Sequence, residues 1–197
     1  MGRLNGVKTA ALISAAAFCL AAAAPGAAKR SEKMQIKTET AVLAGGCFWG
    51  MEEILRAVPG VKATLVGYTG GHTGNPVYEQ VKTGATGHAE SIEIKFDPKV
   101  LSYGALLDMF FRMHDPTTPN RQGNDVGTQY RSAIFYFGAA QKKEAEAAVK
   151  RARESGRWKR PITTEIAPAG KFWPAEEYHQ DYLKKHPGGY TCHYVRD

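Results

Sequence analysis

The sequence predicts an α+β domain of two layers, with a ferredoxin-like β-α-β-β-α-β core, an extra C-terminal helix and a coiled, glycine-rich tail. Three observations carry this. Segments with period-two or β-prone patterning alternate with segments of helical spacing in that order from residue 39 onward. Glycines, prolines and capping residues punctuate the boundaries. With 197 residues and 43% hydrophobic content, the chain can build one proper core, and it shows neither repeats nor low-complexity segments.

The elements follow in sequence. Thr40 to Ala44 is short and β-prone, and Cys47, Met51, Ile54, Leu55 and Val58 then recur at helical spacing, which puts Cys47 in the first helical turn. A second strand is expected from Ala63 to Tyr68, followed by a long glycine-rich loop from Thr69 to His88. Glu90 to Phe96 alternates as a strand. Ser102 can cap a helix carrying Leu106, Leu107, Phe110 and Phe111, which stops before Pro116. A polar loop, His114 to Gln129, leads into the strand Arg131 to Phe137. Beyond the core, a helix from Ala140 to Ser155 stops at Gly156, a short strand covers Ile162 to Ile166, and Pro174 opens a helix running to Lys185. The turn-rich segment from His186 to Cys192 predicts a mobile tail beginning at about residue 186.

The first 28 residues do not belong to this core. Arg3 and Lys8 precede an alanine-rich apolar run from Thr9 to Ala24, and Gly26-Ala27-Ala28 supplies small residues for cleavage, the pattern of a secretory signal peptide. Residues 29–38 form a polar linker, and residues 39–197 the single domain. The protein is therefore expected to be exported, periplasmic or secreted. Stable membrane insertion is not expected, because no later segment approaches the ~20 apolar residues that spanning requires. A lipid anchor through Cys19 is disfavoured by bulky Phe18 before it.

Cleavage removes Arg3 and Lys8, lowering the formal charge from +7 to +5. The one dense basic cluster, Lys150-Arg151-Ala152-Arg153 with Arg157, Lys159 and Arg160, reads as a solvated face, and nucleic acid is not an expected partner. Cleavage also removes Cys19 and leaves Cys47 and Cys192. Two thiols in an exported chain ordinarily form a structural bridge. Their separation lacks zinc-site spacing, so no metal is expected.

Gly45-Gly46-Cys47-Phe48-Trp49-Gly50 is the segment richest in chemical meaning. At a helix start, free backbone N–H groups and the positive end of the dipole favour an anion, and there a cysteine pKa can fall from about 8.5 to between about 3.5 and 7.5. A lone cysteine in an apolar segment is ordinarily a packing residue, but packing gains nothing from a helix start flanked by three glycines. Glu90 shares a strand face with Ile92, Ile94 and Phe96, which points its carboxyl to the apolar side. Desolvation there would keep it protonated near neutrality, as a general acid requires, although at the frayed start of the strand it would instead reach water. Tyr78 and Tyr130 lie in or at the end of the two long loops and can offer neutral O–H donors. For either tyrosine alone a packing role is the commoner one, and Asp125 alone reads as a turn residue. His72, His88 and His114 could each pair with Cys47, and nothing in the spacing selects one.

The chain resembles the type A family of peptide methionine sulfoxide reductases. The matching segments are residues 45–50, Gly67-Tyr68 with Gly70-Gly71, Asn75-Pro76-Val77-Tyr78, Thr86-Gly87-His88-Ala89-Glu90, His114-Asp115-Pro116-Thr117-Thr118 with Asn120-Arg121-Gln122-Gly123, and Asp125 through Ser132, in the family's order. The resemblance implies that Cys47 attacks the sulfoxide sulfur, that Glu90 protonates its oxygen, and that Tyr78 and Tyr130 hydrogen-bond around it. It further implies that Asp125 holds the polar network and that Phe48 and Trp49 form the aromatic wall for the S-methyl group. The implied substrate is the S epimer of methionine sulfoxide, in oxidised proteins or free. A Cys47 sulfenic acid would be resolved by Cys192, and the disulfide reopened by an external thioredoxin-like donor, without a resident cofactor. A monomer is expected. Two readings of other classes stand beside this one: a cysteine hydrolase using a loop histidine, and a disulfide-stapled binding module presenting Trp49, Tyr68 and Tyr78.

Overall fold

A computed structural model describes residues 37–197. The expected signal peptide and all but the last two linker residues lie outside the described residues.

Strand β1, Glu39–Gly45, is buried from Ala41 onward, because both faces of this central strand are covered. Helix α1, Phe48–Arg56, follows directly, with Cys47 as its N-cap, one position before the expected first turn. Strand β2, Val61–Thr69, helix α2, Tyr78–Val81, strand β3, Ala89–Phe96, and helix α3, Tyr103–Met113, come next. As expected, Ser102 caps α3, its hydroxyl accepting from the Ala105 N–H at 3.1 Å. The two-residue strands β4, Arg121–Gln122, and β5, Asp125–Val126, pair as a small hairpin. A 3-10 turn, Thr128–Tyr130, leads into β6, Ser132–Tyr136, and then α4, Gly138–Glu154. Strands β7, Glu165–Pro168, and β8, Trp173–Pro174, a 3-10 turn, Glu177–His179, and helix α5, Tyr182–Lys185, complete the elements.

The sheet runs β7-β6-β1-β3-β2-β8. Its four inner strands, β6-β1-β3-β2, pair antiparallel throughout, which is the ferredoxin-like arrangement expected from the element order. β7 adds parallel to β6, and β8 adds antiparallel to β2. Leu43, Ile92, Ile94 and Phe96 face one side, where Phe48, Met51 and Leu55 of α1 and Leu106, Leu107 and Phe110 of α3 complete the main core. Val42, Ala44, Ala133 and Phe135 face the other side, which Ala167, Ala169 and Phe172 cover. The register places Glu90 opposite Tyr68 and on the α1 side of the sheet.

Some elements differ from expectation. The short strand expected over 162–166 lies at Glu165–Pro168, and the two long loops contain α2 and the β4-β5 hairpin. The helix expected from Pro174 to Lys185 is broken. Gln180 explains part of this, since its side-chain oxygen accepts from the Val66 N–H at 3.0 Å and its amide donates to the Val66 carbonyl at 2.9 Å, holding the segment along the edge of β2. Asp181 then takes a left-handed conformation, φ 53°, that no continuing helix allows.

Candidate active site

Where β1 ends, Gly46 turns the chain at φ 105°, and the Cβ of any other residue there would sit 2.5 Å from the Gln122 side chain. This turn delivers Cys47 to the floor of a cavity of about 160 Å³, lined by Cys47, Phe48, Trp49, Tyr78, Glu90, Asp125, Tyr130 and Tyr190. Seven of these eight residues are the sequence candidates, gathered from α1, α2, β3, the β4-β5 hairpin and the following 3-10 turn. Tyr190, from the tail, has no periodic pattern around it and was not among them. The eighth candidate, Cys192, lies in the same tail, half-buried.

Glu90 is 2% exposed and accepts a hydrogen bond from the Phe48 N–H at 3.2 Å. Burial raises its pKa to about 8, with the nearby Asp125 adding to the shift and the Phe48 N–H opposing it. The carboxyl thus holds a proton at neutral pH. Burial likewise raises the Tyr78 and Tyr130 phenols, so both are neutral donors. Cys47 departs from expectation. Burial pushes its thiol well up, and the Glu90 charge adds to this, while the Trp49 N–H at the helix start acts against both and loses. The helix start is present, but the free site does not hold a standing thiolate.

The aromatic side is braced from outside the cavity. Trp49 donates its indole N–H to His179 Nδ1 at 3.0 Å and stacks on Tyr182 with ring centres 3.7 Å apart. Phe48 is 1% exposed, with His179 and Tyr68 rings 5.0 and 5.9 Å away. Glu176 ties two elements together by accepting from the Tyr68 hydroxyl and the Tyr78 N–H. His179, Tyr182 and Glu176 fall in the segment misread as a continuous helix, which hid their convergence on the site.

Cys47 and Cys192 are both free thiols. Burial pushes Cys192 up to about 12, with Asp125 adding to this and the Cys47 backbone N–H opposing it. The tail is seated in this structure: buried His193 reaches the Gly45 carbonyl at 2.8 Å, and the Arg196 N–H donates to the Arg112 carbonyl at 2.9 Å. The three histidines required by a hydrolase point elsewhere. His88 bonds Gly71 and Thr73, His114 bonds Phe110 and Ser132, and exposed His72 does not line the cavity. Among the described residues, no cluster of three His, Cys, Asp or Glu is placed to hold a metal. The basic cluster is a solvated face, where Arg151 pairs with Asp108 and Glu144.

A ferredoxin-like domain whose cavity joins a thiol to a protonated carboxyl and two phenols, with a second thiol beside it, is a thiol-dependent oxidoreductase. The profile of the family described as peptide methionine sulfoxide reductase matches residues 39–197, and the chain belongs to that family, in its type A branch. Peptide methionine sulfoxide reductase MsrA 1 of Mesorhizobium japonicum is 57% identical over 163 residues, 83% of this chain and 92% of that protein. The crystal structure of Mxr1 from Saccharomyces cerevisiae in reduced form matches with a TM-score of 0.78 at 40% identity, covering 82% of this chain and 93% of the other. Mxr1 in complex with Trx2 matches with a TM-score of 0.56 at 27% identity, covering 86% and 97%.

Proposed function

We propose that this enzyme reduces the S epimer of methionine sulfoxide, in oxidised proteins and as the free amino acid, through Cys47. The observation that carries the reading is that one cavity holds the Cys47 sulfur, a carboxyl protonated at neutral pH, two phenol donors and an aromatic wall. A sulfoxide is polar at oxygen and apolar at methyl. Its oxygen fits toward Glu90, Tyr78 and Tyr130, and its methyl against Phe48 and Trp49, which leaves the electropositive sulfur facing Cys47. Because burial disfavours a standing thiolate, ionisation of Cys47 is coupled to substrate arrival, when the S–O dipole enters the cavity. Attack of the Cys47 sulfur on the sulfoxide sulfur, with proton transfer from Glu90 to its oxygen, forms a bond between the two sulfurs. That bond then breaks as the hydroxyl passes to Cys47, releasing methionine and a Cys47 sulfenic acid, while the proton that left the Cys47 thiol restores Glu90.

Cys192 then attacks the Cys47 sulfur, releasing water and forming a disulfide. A thioredoxin-like reductant reopens it by thiol exchange, a partner class supported by the match to Mxr1 in complex with Trx2. The signal-like segment 1–28 supports export, so the reductant belongs to the compartment outside the cytoplasm. Incubation with separate S and R epimers and dithiothreitol, beside Cys47→Ser, tests the reading: reduction of S alone, lost in Cys47→Ser, is expected, and reduction of neither epimer would return Cys47 to a packing role.

A further inference from the structure

We infer that His193 is the general base that takes the proton from Cys192 as that thiol attacks the Cys47 sulfenic acid. The inference rests on the resolving role of Cys192 given above. His193 is 6% exposed, and its Nε2 lies 2.8 Å from the Gly45 carbonyl oxygen. A carbonyl only accepts, so Nε2 carries the ring proton and Nδ1 is left with a lone pair. That lone pair faces the Cys192 sulfur at 3.5 Å, within hydrogen-bond range for a thiol donor. The ring is fixed in this orientation by the nucleophile's own motif. It packs beneath the start of α1, where a Cβ on Gly50 would come within 2.6 Å of Nδ1 and a Cβ on Gly46 within 3.3 Å of Cε1. The glycines that flank Cys47 thus make the space that holds the base for the second thiol.

The charges around the ring favour its neutral form. Burial lowers its pKa to about 4, the Gly45 contact and Asp125 oppose this, and Arg196 adds to the lowering. His193 in turn lowers the pKa of the nearby His114 ring. Cys192 lies against Nδ1, and its thiol also faces the Asp125 carboxylate. Neither a free imidazolium nor a free Cys192 thiolate is favoured in this buried place, so the proton moves as the S–S bond forms. In the step, the Cys192 S–H bond breaks toward Nδ1, the sulfur electron pair forms the bond to the Cys47 sulfur, and the Cys47 S–O bond breaks. The leaving hydroxide takes the proton back from Nδ1 as water. Cys47 sulfenic acid is reduced, the two sulfurs end as one disulfide, and His193 returns neutral.

The test is a single turnover of the full chain, fully reduced and freed of reductant, with methionine sulfoxide as the probe. Methionine formation reports the first step. Dimedone trapping of the sulfenic acid and loss of free thiol report the second. In the wild type, the second step should be level from about pH 5 to 9. In His193→Gln, whose side-chain amide can still donate to the Gly45 carbonyl, and in His193→Asn, it should slow at least 100-fold relative to the first step at pH 7, the scale of general-base catalysis. It should then rise tenfold per pH unit, as attack by spontaneously ionised thiol requires. Equal slowing of both steps in the His193 variants, or a level profile in them, overturns the assignment. If neither variant folds, a wild-type second step that itself climbs tenfold per pH unit overturns it. A wild type that forms no Cys47–Cys192 disulfide removes the resolving role itself, whereas a disulfide that forms at wild-type rate without His193 removes only the base.

Discussion

The backbone N–H of Phe48 donates to Glu90 Oε2 at 3.2 Å, so a free N–H at the start of α1 is occupied by the acid and not by the nucleophile. One hydrogen bond crosses from helix to sheet and fixes the carboxyl beside the Cys47 sulfur. It also stabilises the charged carboxylate, yet burial outweighs it and leaves the pKa near 8. The helix start therefore positions the proton donor, and in the proposed cycle the Cys47 thiol ionises as the sulfoxide arrives.

Glu90→Gln should lower the first-step rate at least 100-fold while keeping an acceptor for the Phe48 N–H. In the wild type that rate should fall as pH rises through about 8, when the carboxyl loses its proton. Stability should move the same way. With the folded pKa raised above the unfolded value, the folded chain binds more protons between pH 4.5 and 8, so stability declines across that window. Glu90→Gln should remove this decline, and melting curves at pH 6 and pH 9 with an undiminished decline in the variant would place its source elsewhere.

Tyr78→Phe and Tyr130→Phe each remove one neutral O–H donor from the sulfoxide-oxygen side of the cavity. Each should cost about tenfold in kcat/KM, the equivalent of about 1.4 kcal/mol of lost hydrogen bonding. The double variant should lose more than 100-fold, because the oxygen then faces Glu90 alone. Steady-state rates with a common reductant decide this, and a double variant no worse than either single one would show that only one phenol reaches the oxygen.

The fold was legible where side-chain periodicity follows backbone geometry. The alternation of Glu90, Ile92, Ile94 and Phe96, and the helical spacing of Met51, Ile54 and Leu55, depend on local chain geometry alone, and with them came the strand order and the face that Glu90 occupies. Three things were not local. Gln180 breaks its helix because Val66, 114 residues away, offers backbone partners on the edge of β2. Tyr190 and His193 belong to a tail whose place depends on Gly46 and Gly50 having no side chains. The Cys47 helix start was visible in the sequence, but the depth of its burial, which reverses the expected direction of its pKa, depends on residues from five other segments.

Cys192→Ser should complete one first step and then stop. With methionine sulfoxide in excess and a thioredoxin-like donor, methionine should reach about one equivalent per chain, with Cys47 held as a sulfenic acid that dimedone traps. Full multiple turnover with that donor in the variant would show that the reductant reaches Cys47 directly and that Cys192 is dispensable.

Gly50→Ala separates a local preference from a long-range one. In a helix interior, alanine is favoured over glycine by about 1 kcal/mol, so propensity alone predicts a more stable protein. At Gly50, however, the new Cβ would sit 2.2 Å from Thr191 Oγ1 and 2.6 Å from His193 Nδ1. The helix is held between β1 and the core by Met51 and Leu55, both fully buried, so the tail must give way. Displacing it costs the His193 contact to Gly45 and moves the Cys192 thiol from beside Cys47. Gly50→Ala should therefore melt lower than the wild type, by about 2–4 °C for each kcal/mol lost in a domain of this size, and should form its disulfide at least tenfold more slowly. A higher melting temperature with an unchanged rate of disulfide formation would mean that the tail is not held by this glycine, and that Cys192 reaches Cys47 from a different seat.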